Sequence, residues 1–73
     1  MDPSTLNRIC DAIEYGNGGA VVIEMDTARA RYVPEGLQLP GQFGEAVATV
    51  ISTGQPRMII IGSATYFVSS LRL

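Results

Sequence analysis

Arg29 and Arg31 stand two apart in "ARARYV", with Tyr32 beside them. In an extended segment such residues share a face, so both guanidiniums point the same way and Tyr32 points the other. Paired guanidiniums recognise carboxylates through forked hydrogen bonds, and arginine with tyrosine often anchors a protein interface. Glu24 and Asp26 are also two apart, on the preceding segment. A carboxylate pair in a cleft can transfer protons. Facing Arg29 and Arg31 across a hairpin, it would instead balance a solvated sheet face. Both readings stay open, and Glu24, Asp26, Arg29, Arg31 and Tyr32 form the candidate partner-binding set.

Other reactive groups are scarce. The chain has no histidine to act as a base near neutral pH. Cys10 is the only cysteine, so no internal disulfide forms, and one thiol builds no zinc site. It falls on the apolar stripe of the first helix, where a thiol is expected to be a buried, inert small hydrophobe. "GNGG" at 16–19 lacks the lysine and the following helix of a phosphate-binding loop. The expectation is a protein that is not an enzyme and uses no cofactor and no metal.

The 73 residues make one domain, 1–73, too short for more than a marginal core. Apolar residues reach 47% and charged ones only 16%, which favours association with a partner or with a second copy. Net charge is −2 and lysine is absent, so no direct nucleic-acid binding is expected. The N-terminal stretch does not read as a signal peptide, and no apolar run approaches the ~20 residues of a membrane span. A soluble, cytoplasmic protein with a reduced cysteine follows.

The elements that position these residues can be read in order. Asp2 caps a first helix, Pro3 opens it, Leu6, Ile9, Cys10 and Ile13 give one apolar face, and Gly16 stops it. Asn17–Gly19 turns into a strand at Ala20–Met25, and Ala28–Val33 returns as its hairpin partner. A connector rich in proline and glycine follows. A second helix runs from about Gly41 to Thr53 on Phe43, Ala46, Val47, Val50 and Ile51, with Gly54 and Pro56 ending it. "RMIII", a turn at Gly62, and a last strand complete the order α-β-β-α-β-β. The predicted fold is α+β: two helices packed on one face of a four-stranded antiparallel sheet. At an offset of 38 the two halves, about 3–33 and 41–73, align Ile9 with Val47, Gly16 with Gly54, and Ala20–Ile23 with Met58–Ile61; a duplication would give this pattern, and so would any two helix–stop–strand units. Met58 to Ile61 are apolar on both faces of a strand. Ile60 is expected in the core, so that Ile60→Asp would unfold the domain.

The C-terminal half, "GEAVATVISTGQPRMIIIGSATYFVSSLRL", resembles a small phage anti-CRISPR protein acting on type I surveillance complexes. The similarity rests on Gly54, Pro56, Ile59, Ile60, Ile61, Gly62 and Ser63, with Leu71, Arg72 and Leu73 at the end, and on the Pro40-Gly41 approach to the helix. The first helix has no counterpart in it. The resemblance implies a phage-encoded inhibitor that binds Cas subunits of the complex and blocks DNA binding or nuclease recruitment. It carries over no binding residue, because each matched position has a structural reason of its own. Composition alone also fits a self-associating cytoplasmic protein, a homodimer with a ligand between subunits, or an antitoxin-like regulatory partner.

Overall fold

The computed structural model describes residues 2–72, so Leu73, part of the C-terminal pattern, lies outside them. Helix α1 spans Pro3–Glu14, strand β1 Ala20–Glu24, β2 Arg29–Val33, α2 Gly41–Thr53, β3 Arg57–Ile61 and β4 Ala64–Ser70. The order is α-β-β-α-β-β, and the four strands form one antiparallel sheet ordered β2-β1-β4-β3. The termini of the elements follow local chemistry. The Asp2 carboxylate accepts from the Ser4 N–H at 3.1 Å, and Pro3 takes the first turn. Gly54 closes α2 in the left-handed region, φ 76°, its N–H donating to the Val50 carbonyl at 2.8 Å. Gly62, φ 61°, followed by a serine with negative φ, fits the two-residue turn between β3 and β4.

The registers assign every strand residue to a face. Val33 lies opposite Ala20, Val22 opposite Val68, and Ile59 opposite Tyr66. These residues share the inner face, where Val47 and Val50 of α2 pack on Ala20, Val22, Val33, Ile59 and Val68. The core is made of small side chains; its largest fully buried members are Val50 and Val68. Gly44 lets the connector approach α2, since a Cβ there would fall 1.8 Å from the Leu39 carbonyl oxygen. Gly19 is needed for the same reason at the start of β1, against the Val33 carbonyl.

Helix α2 lies over β4, β3 and β1, whereas α1 lies against β2 alone among the strands it chiefly touches. The α1 face in contact runs through Thr5, Ile9 and Ala12, and only Ala12 is fully buried. This corrects the expected stripe. Leu6 is 48% exposed, Ile13 43% exposed, and Cys10 exposed rather than buried. The helix is turned by about one position because alanine permits close approach and Arg8 is drawn over the Tyr32 ring, 5.5 Å from its centroid.

A second correction concerns β3. Ile59 is 7% exposed and Ile60 69% exposed, with Met58 at 62%. Ile60 is therefore on the outer face, and Ile59 is the core residue. The aligned halves also occupy unlike places: β1 is an inner strand, while β3, its counterpart at an offset of 38, is at the sheet edge.

Candidate functional site

The inner face is not filled evenly. Helix α2 covers its β4–β3 side, and β2 projects beyond it with two long side chains. Alternation places Arg29, Arg31 and Val33 on this same face. Val33 is buried in the core, while Arg29 and Arg31 are exposed. Glu24 pairs in register with Arg29, and Val22 with Arg31. Together with Phe43, Ile61 and Tyr66 these residues line a cavity of about 390 Å³.

Its floor is apolar, made by Val22 and Ile61, and its wall is aromatic. Phe43 and Tyr66 meet edge to face, ring centroids 5.3 Å apart and planes at 63°. The rim carries two guanidiniums and one carboxylate, so its net charge is positive although the chain's is negative. Among the described residues, neither Arg29 nor Arg31 forms an ion pair; the pair found is between Arg72 and Glu35, at the other end of α2. An anionic group that enters would meet two forked donors over an apolar bed, the usual setting for carboxylate recognition.

Of the five sequence candidates, the structure brings Glu24, Arg29 and Arg31 to this cavity. Tyr32 lies on the outer face, under Arg8, its hydroxyl donating to the Gly18 carbonyl at 3.2 Å. Its role there is to seat α1. Asp26 lies in the turn that follows β1, exposed and away from the cavity lining. Sequence reasoning missed Phe43 and Tyr66. Phe43 sits on the apolar stripe of α2 and reads as plain core; only the end of the helix, reached at Gly41, leaves its ring at an opening. The described residues contain no group of three or more His, Cys, Asp and Glu side chains close enough to hold a metal ion. No helix of the described chain is long and apolar enough to cross a membrane.

No family model, curated protein or solved structure matches the chain.

Proposed function

We propose that this protein is a non-catalytic inhibitor that acts by binding another protein, with the Arg29–Arg31 cavity as its recognition site. The observation that carries this reading is the pair of exposed guanidiniums at the mouth of an apolar, aromatic-walled cavity. A cavity of this size suits one or two side chains of a partner: an aspartate or glutamate for the arginines, with an adjacent apolar residue for the Phe43–Tyr66 wall. Interfaces built this way use a few deep anchors inside a ring of weaker contacts. The resemblance of the C-terminal half to one small phage anti-CRISPR protein points this proposal to a more specific partner, a Cas subunit of a type I surveillance complex in the bacterial cytoplasm.

The test is a pull-down with purified type I surveillance complexes of several subtypes, alongside plating of a sensitive phage on cells that express the protein. Capture of one complex, with restored plaque formation, is the expected result. Arg29→Glu should abolish both while leaving the circular dichroism spectrum unchanged, because exposed charges contribute little to stability. Absence of capture and of protection across the subtypes would remove the Cas partner. Capture that is indifferent to Arg29→Glu would remove the cavity.

A further inference from the structure

The hydrogen-bonding direction of each strand residue can be fixed from one contact. The Met25 N–H donates to the Thr65 carbonyl at 2.8 Å, so Thr65 points its main chain toward β1. Its neighbours Ala64, Tyr66 and Val68 then point toward β3, and their register partners are Ile61, Ile59 and Arg57. Met58 and Ile60 are left with N–H and C=O groups directed away from the sheet. The same two residues carry the most exposed large apolar side chains of the strand. Beside this edge, on the inner face, a groove of about 310 Å³ runs between β3 and the outward side of α2, with Arg57 and Glu45 both lining it.

We propose that two copies of this chain associate through β3, antiparallel about a two-fold axis at Ile59, to form one continuous sheet. In this register Met58 of each copy lies opposite Ile60 of the other. Both outward-pointing residues on each side are then used, giving four backbone hydrogen bonds. Shifting the axis to Met58 or Ile60 would pair only one residue per copy with an outward-pointing partner. The side chains agree with the backbone. Met58 packs beside the partner's Ile60 on the outer face, so each apolar pair covers the other. The charges agree too. Helix α2 runs antiparallel to β3, since Phe43 near its start shares a cavity with Ile61 at the far end of the strand. Glu45 thus lies toward the Ile61 end, and Arg57 at the opposite end. The two-fold sets Arg57 of one copy across from Ile61 of the other, beside the partner's Glu45, and the ion pair occurs twice. A second copy satisfies this edge in backbone, side chain and charge, which is why we commit to it over an unrelated strand. The interface is at the opposite edge of the sheet from Arg29 and Arg31, although Ile61 at the end of β3 also belongs to the cavity floor.

Sedimentation equilibrium of the full chain from low micromolar to near-millimolar concentration reads the association. The amide exchange of Met58 and Ile60 reads the mode. A monomer–dimer equilibrium is expected, with both amides slowing as the dimer forms. Ile60→Pro removes an outward-facing donor that the monomer does not use, and should weaken dimerisation by about tenfold or more with an unchanged circular dichroism spectrum. Arg57→Glu needs no backbone change. It sets two acids against each other, should weaken the dimer about fivefold, and should be rescued by adding Glu45→Arg. A monomer throughout the range overturns the proposal, as does a dimer whose Met58 and Ile60 amides still exchange freely, which would mark stacking of the outer faces. Failure of Glu45→Arg to rescue Arg57→Glu overturns the register.

Discussion

Strands β2 and β3 are the two edges of the same sheet, and they are finished differently. The free main-chain groups of β2 belong to Ala30 and Tyr32, by the alternation that directs Arg29, Arg31 and Val33 toward β1. Helix α1 lies against that strand, and Arg8 sits on the Tyr32 ring. On the other side of the molecule the free groups of β3 belong to Met58 and Ile60, and no element of the described chain lies against them. Edge strands are ordinarily blunted by charge, proline or a covering element. Here β2 has a cover and two arginines, while β3 has only Pro56 and Arg57 at its start. The contrast separates the edges: β2 has α1 beside it and presents charged side chains, and β3 presents backbone with no element of the described chain beside it.

The largest effect should separate the two faces of β3. Ile59→Asp buries a carboxylate among Val47, Val50 and Tyr66 without a cation and should cost several kcal/mol, enough to unfold a domain with so small a core. Ile60→Asp, one residue along, should stay within about 1 kcal/mol of the parent. Urea titration followed by circular dichroism compares them, and equal losses would contradict the assigned faces. A smaller effect is expected at β2. Arg8→Ala removes the cation stacked on Tyr32, costs about 0.5–1 kcal/mol, and should speed exchange of the Tyr32 amide as α1 loosens. An unchanged amide would mean that α1 does not guard this edge. The smallest effect lies in the β1–β2 turn, where Ala28 holds φ 56° with a β-carbon. Ala28→Gly removes that steric cost but adds freedom to the unfolded chain, so a net gain of about 0.5 kcal/mol is expected. Thermal melting would show it, and a loss of stability would mean the turn is not strained.

Much of the fold was legible because its punctuation is local. Asp2, Pro3, Gly54 and Gly62 act within a few residues of themselves, and each does in the structure what its type implies. Helix α2 was legible because Phe43, Val47, Val50 and Ile51 contrast with the polar residues between them. Where contrast is missing, the reading fails. Met58 to Ile61 are all apolar, so nothing in the run tells which alternate pair faces inward, and the core position expected for Ile60 belongs to Ile59. Leu6, Cys10 and Ile13 form a stripe, but a stripe cannot say whether anything covers it. Alanine at position 12 and an arginine–tyrosine contact decide how α1 sits, and neither carries a signal in hydropathy. The candidate site was half legible. Arg29 and Arg31 announce a shared face by spacing, and Glu24 joins them by register. That this face is also the core face, with Phe43 and Tyr66 at its open end, depends on where α2 begins.

The two inner strands come from opposite halves of the chain: β1 pairs with β4, and Ala20 meets Ser70. The sheet therefore cannot be completed by any N-terminal portion of this segment. As the chain leaves the ribosome, β1 has β2 beside it and nothing on its other side, with Val21 and Ile23 aimed at a partner not yet made. Closing so long a loop is slow compared with forming a hairpin. During synthesis the aggregation-prone edge is thus β1, and it passes to β3 only once β4 has docked.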